Sequence, residues 1–173
     1  MVRTQKFLCA LANGVTILNS EFIDTCVTSS GVPDPKNFIL VDKPAEKRFG
    51  VVLADAVARA KANKCRLLAG VAVYCTEGIP NGEDTYKSIV ESNGGEFAVY
   101  RGRRGVLQKR EEEDGEEVYL LTGLSKKEKA LWSGFEKMAG EAGYRPRVVL
   151  TDWLLDTAMA QEIKWKDRYL AKV

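Results

Sequence analysis

Apolar residues in the first forty positions follow helical and strand spacings in turn. Phe7, Leu8 and Leu11 fall on one face of a segment from Arg3 to Ala12. Thr4 is placed to cap that helix, and Asn13-Gly14 supplies a left-handed residue to close it. Val15 to Leu18 is a short apolar run of the kind a buried strand gives. Ser20 and Glu21 then open a second helix with Phe22, Ile23, Cys26 and Val27 on its apolar face, and Gly31 to Pro35 ends it. From Lys43 to Lys64 the chain begins polar and becomes rich in alanine, which predicts one connecting helix.

Beyond Lys64 the pattern is more regular. Leu67 to Tyr74 predicts a strand, and Glu83 to Asn93 a helix burying Tyr86, Ile89 and Val90 that stops at Gly94-Gly95. Strands follow at Glu96 to Arg101 and Val118 to Leu121. Ser125 caps a long helix through Leu131, Trp132, Phe135 and Met138. Arg147 to Leu150 is a fourth strand, and Thr151-Asp152 starts a final helix carrying Trp153, Leu154 and Ala158. The order β-α-β-β-α-β-α, with short apolar strands between helices, predicts an α/β fold whose parallel sheet is covered on both faces.

The two halves share a motif. Ile17-Leu18-Asn19-Ser20-Glu21-Phe22-Ile23 aligns with Val148-Val149-Leu150-Thr151-Asp152-Trp153-Leu154 at an offset of 131 residues, each copy reading strand, cap, acid, aromatic, aliphatic. In the second copy Leu67 to Leu124 precedes the shared segment, whereas little precedes Arg3, so the first unit is expected to lack its front half.

Composition narrows the chemistry. Lysine and arginine total 26 against 24 aspartate and glutamate, a net charge of +2, so anion recognition is expected to be local rather than a bulk-charge effect. With no histidine in the chain, the Ser-His-Asp and Cys-His nucleophile arrangements cannot be built. Cys9, Cys26, Cys65 and Cys75 form no C-x-x-C pair and read as core residues of a reducing compartment. There is no P-loop and no glycine-rich dinucleotide fingerprint, so no enzyme, cofactor or metal is expected. No run approaches the roughly 18 apolar residues that a helical membrane span needs.

Arg3-Thr4-Gln5-Lys6-Phe7-Leu8-Cys9-Ala10-Leu11 resembles the R-T-x-K-F-L-C-A-L helix of tandem BRCT repeats, in particular those of checkpoint mediators and fungal genome-stability scaffolds. The likeness continues through Lys47-Arg48-Phe49-Gly50-Val51, the start of a strand at Arg66-Leu67-Leu68-Ala69-Gly70, the Gly94-Gly95 pair and Trp153. It implies two BRCT repeats, each a small parallel four-stranded sheet flanked by helices, packed as a pair through a linker helix. The first is incomplete and spans 1–43, the linker 44–64 and the second repeat 65–173. It also implies a nuclear, non-enzymatic module of the DNA-damage response that reads a phosphoserine protein tail, such as that of a damage-phosphorylated histone.

By that resemblance Lys6 matches the phosphate-binding lysine. Arg3 matches the arginine that contacts the peptide beyond the phosphate, at its main chain or its free C-terminal carboxylate, and Thr4, between them, is expected to join the phosphopeptide contact. The assignment is physically sensible, since a phosphoserine carries about −1.5 to −2 charges and is favoured where a lysine meets the first-turn amides of a helix. A guanidinium fork suits a carboxylate. The family's phosphate-binding Ser/Thr and Gly would belong to the absent front half, so a companion segment is an expected partner.

Two further clusters carry blander readings. Arg101, Arg103, Arg104, Lys109 and Arg110 lack interleaved aromatics and run into Glu111, Glu112, Glu113 and Asp114, which predicts a self-neutralising loop rather than a DNA contact. Thr76 and Gly78 resemble a degenerate second phosphate pocket and read as a structural loop, while Trp132 and Trp153 read as packing residues. The alternative function is a BRCT pair for phosphate-independent assembly or DNA-end contact.

Overall fold

Four strands whose residues alternate between two buried faces organise the computed structural model, which describes residues 1–102 and 116–172. β1 (Ala72–Thr76), β2 (Glu96–Tyr100), β3 (Glu117–Thr122) and β4 (Arg145–Leu150) pair in parallel in the order β2-β1-β3-β4. Parallel neighbours require crossovers. Helices α5 (Glu83–Ser92) and α6 (Lys126–Glu141) supply those from β1 to β2 and from β3 to β4.

Successive strand residues point to opposite faces, and both faces are covered. Val73, Cys75, Tyr119, Leu121 and Val149 join one core with α5 and with α7 (Thr151–Ala160). Tyr74, Val118, Leu120 and Val148 join a second core with Trp132, Phe135 and Met138 of α6. Trp132 donates its indole N–H to the Thr122 hydroxyl at 2.9 Å. Trp153 stacks on Tyr119 with ring centroids 4.0 Å apart. Both tryptophans are packing residues, as their apolar faces predict.

The first sixty residues pack onto the α5–α7 face. Leu8 and Leu11 of α1 (Gln5–Ala12) are fully buried in its core together with Leu53 and Ala56 of α4 (Leu53–Asn63). The linker is also tied to the end of α7, where Arg59 donates to the Ala160 carbonyl at 2.8 Å and Asn63 to that of Gln161 at 3.1 Å. These donors satisfy carbonyls that a helix end leaves open.

Several expectations are corrected. Val15 to Leu18 forms no strand and makes only an antiparallel bridge between Leu18 and Ile39, because no neighbour among the described residues pairs along it. α2 (Glu21–Thr28) forms where expected, but its apolar face is largely uncovered, with Ile23 66% and Val27 82% exposed. The single connecting helix is two, α3 (Lys43–Phe49) and α4, because Gly50 adopts a left-handed φ of 65° and closes the first. The strand expected at Leu67 begins at Ala72, since 67–70 form a turn in which Val71 N–H donates to Leu68. In the basic cluster, Arg103, Arg104, Lys109 and Arg110 lie outside the described residues, and Arg101 pairs with Glu77 at 3.1 Å.

Gly94 closes α5 with φ +78°, and a Cβ there would stand 2.4 Å from the Cys65 carbonyl oxygen. Gly94→Ala should therefore lower unfolding stability by about 2 kcal/mol. Gly140 lies in α6 with no atom within 4 Å of an added Cβ. Gly140→Ala should raise stability by about 0.5–1 kcal/mol through helix propensity. Urea unfolding of the two variants should thus move in opposite directions.

Candidate functional site

Thr4 caps α1, its hydroxyl oxygen accepting from the Phe7 N–H at 3.4 Å, so the helix begins one residue later and Arg3 stands just outside it. From there Arg3 reaches across to α7. Its Nη1 donates to Asp152 Oδ1 and to Asp156 Oδ1, both at 2.8 Å. The two aspartates are four residues apart on one helix face, which lets one guanidinium meet both. Asp156 accepts two more bonds at Oδ2, from Arg168 at 2.6 Å and from the Tyr169 hydroxyl at 2.7 Å. Burial, and then the bond to that carboxylate, push the Tyr169 phenol above its usual range.

The guanidinium of Arg3 also lies 5.5 Å from the Phe49 ring centroid, and that of Arg48 lies 5.2 Å from it. Together Arg3, Arg48, Phe49, Asp152, Asp156 and Arg168 line a cleft of about 230 Å³ between the N-terminal helices and α7. Lys6 is one turn further along α1, at the second helical position, exposed and without an ion pair among the described residues. Of the three residues singled out in the sequence, the structure puts Arg3 in the cleft, Thr4 at the helix cap, and Lys6 beside the first-turn amides.

Residues 1–40 match the family model described as the Regulator of Ty1 transposition protein 107 BRCT domain. BRCT-containing protein 1 of Schizosaccharomyces pombe is 31% identical over 97% of this chain, and the crystal structure of its fifth and sixth BRCT domains superposes with a TM-score of 0.73. That structural match is 26% identical and covers 94% of this chain and 76% of the other. The chain is a BRCT module. Human Mediator of DNA damage checkpoint protein 1 is 34% identical over 55% of it. A complex of Rtt107p with a phosphorylated histone shares the fold, with a TM-score of 0.65 at 14% identity, over 99% of this chain and 72% of that one. The chain spans 19% of the length of the fission-yeast relative and 4% of the human one.

Within this BRCT module the last residue of β1, Thr76, meets a buried carboxylate. Thr76, fully buried, donates to Glu128 Oε1 at 2.8 Å, and the Gly123 N–H donates to the same oxygen at 2.6 Å. Ser125 gives Oε2 its hydroxyl at 2.6 Å and its N–H at 3.1 Å, completing a capping box on α6. Burial alone would raise this carboxyl, but the bonds from Ser125, Gly123 and Thr76 outweigh it and hold it below its ordinary value. Thr76 is thus a structural donor to an internal anion.

Sequence reasoning missed five residues of the cleft. Asp152 and Asp156 carried a usable signal, the i, i+4 spacing of two acids at the start of a helix. Arg48 and Phe49 sit inside a segment that matches the family, yet residue type alone does not say that they face Arg3. Arg168 lies in a short 3-10 helix after α7 and carried no signal.

Because the Glu128 carboxyl titrates below its ordinary value of 4.5, its contribution to stability is complete above that pH and is lost as pH falls through the folded value. Glu128→Gln replaces one acceptor oxygen with a donor and should cost about 1–3 kcal/mol at pH 7. The gap to wild type should narrow in acid, measured as urea midpoints from pH 7 to pH 3.

Proposed function

We propose that this module binds a phosphoserine-containing protein tail in DNA-damage signalling, with a damage-phosphorylated histone tail as its natural target and the nucleus as its place of work. In this role it performs no chemistry. Residues 1–43 form the C-terminal half of the first BRCT repeat, 44–64 the linker and 65–173 the second repeat. The observation that carries the reading is the arrangement at α1: a lysine with no ion pair among the described residues, beside a helix N-terminus, one turn from an arginine in a cleft.

Lys6 and the first-turn amides take the phosphate. The Thr4 hydroxyl uses its oxygen as the helix cap and retains its own O–H to donate to a phosphate oxygen. Arg3 borders the path of the peptide beyond the phosphate. A companion segment pairs along Val15 to Leu18 and completes the first repeat, bringing the remaining phosphate ligands. The relative whose solved structure holds a phosphorylated histone supports the reading at the level of the fold.

A second reading, phosphate-independent assembly, is favoured by the uncovered Ile23 and Val27 on α2. Titrating the protein with phosphorylated and unphosphorylated forms of a histone C-terminal tail separates the two. Affinities should differ at least tenfold, about 1.4 kcal/mol, and Lys6→Met should remove most of that difference with the circular dichroism spectrum unchanged. Equal binding of the two peptides would reject phosphate recognition and leave the assembly reading.

A further inference from the structure

The segment after α7 brings an aromatic side chain and several basic ones together on a surface that the phosphopeptide reading does not use. Trp165 is 40% exposed, whereas Trp132 and Trp153 are buried. The Arg147 guanidinium lies over the Trp165 ring at 4.9 Å, and the Tyr169 ring meets it edge-on at 6.5 Å. Arg147 is fixed in turn, its Nε and Nη2 donating to Glu117 Oε1 at 2.9 and 2.7 Å. The indole is thus exposed yet held in place by a cation–π contact.

Cations surround this platform in excess of the carboxylates near them. Glu117 is taken by Arg147, and Glu162 by Lys164 at 3.4 Å. Arg145 is two residues from Arg147 on β4 and so projects from the same face. Lys166 lies 5.8 Å from the centroid of the Tyr169 ring, and Lys172 follows Ala171, whose N–H donates to the Val148 carbonyl at 3.0 Å. Arg145, Lys166 and Lys172 are exposed and have no ion pair among the described residues. Against these three cations stands one unpaired carboxylate in the segment, Asp167.

We infer that this surface binds single-stranded nucleic acid, with a base stacked on Trp165 and the flanking phosphates on Arg145, Lys166 and Lys172. Every base offers a π-face, so an exposed indole backed by a guanidinium and bordered by unpaired cations takes a single strand without reading its sequence. In a duplex the bases present their edges and not their faces to a protein surface. An acidic peptide would engage the cations and leave the indole without a role. The surface uses neither Lys6, Thr4 nor Arg3, so the inference stands apart from the phosphopeptide reading.

The test titrates the protein with a fluorescein-labelled oligothymidylate of about 12 nucleotides, followed by anisotropy. The unlabelled strand should quench the emission of wild-type tryptophan, since Trp165 is the exposed indole of the three. Affinity should fall with salt at a log–log slope of about −2, as three phosphate contacts at about 0.7 each require. W165A and R145E/K172E should each weaken binding about tenfold, and Lys6→Met should leave it unchanged. R145E/K172E alters exposed side chains alone and remains a valid readout even where W165A lowers the thermal midpoint. No binding by the wild type, or wild-type affinity in both variants, overturns the inference. So does equal or tighter binding of poly-L-glutamate, which would make this an acidic-protein surface, or of duplex DNA of the same length.

Discussion

The seating of α1 against α4, α5 and α7 is the contact on which the candidate site depends. Leu8 and Leu11 are fully buried there, and burial of each is worth about 1.5–3 kcal/mol. The ion pairs of Arg3 are partly exposed and belong to a class worth about 0–1 kcal/mol each. The apolar seam thus holds the helix in place, and the guanidinium orients what has already been brought together. The contacts of Arg3 with α7 follow from that seating, since Arg3 lies just before the Thr4 cap and Asp152 and Asp156 belong to an element α1 rests on.

The two units treat the same local chemistry in opposite ways. Both begin a helix with a capped turn, Thr4 for α1 and Ser125 for α6. After Ser125 the third helical residue is Glu128, whose carboxylate folds back onto Gly123, Thr76 and Ser125 and fills the space with an internal anion. After Thr4 the third helical residue is Phe7, which has no anionic group to offer. The start of α6 is thus filled by an internal anion, whereas the first turn of α1 carries no acidic residue.

Apolar residues are also left uncovered in the N-terminal segments. Ile23 and Val27 face outward on α2, and Ile17, Ile39, Val41, Val52, Leu53 and Val57 border an apolar groove of about 260 Å³. The segment from Val15 to Leu18 has the composition of a strand and makes one bridge. In the second unit the matching segment, β4, pairs along its whole length with β3. A strand is completed by its neighbour rather than by its own residues, so an apolar run without one remains irregular.

The sequence by itself determined the elements whose signals are local. The caps at Thr4 and Ser125, the helices of the second unit, the parallel α/β class and the packing roles of Trp132 and Trp153 were all legible, because periodicity and capping act within a few residues. Motif resemblance also singled out Arg3 and Lys6. Only the tertiary structure decided which charges meet. Asp152 and Asp156 are about 150 positions from Arg3, and Phe49 and Arg168 approach it from separate segments. It likewise decided that Thr76 is occupied by Glu128, that the linker breaks at Gly50, and that Val15 to Leu18 is no strand. Pairing of charges and of strands depends on long-range geometry, which residue types and spacing constrain only weakly.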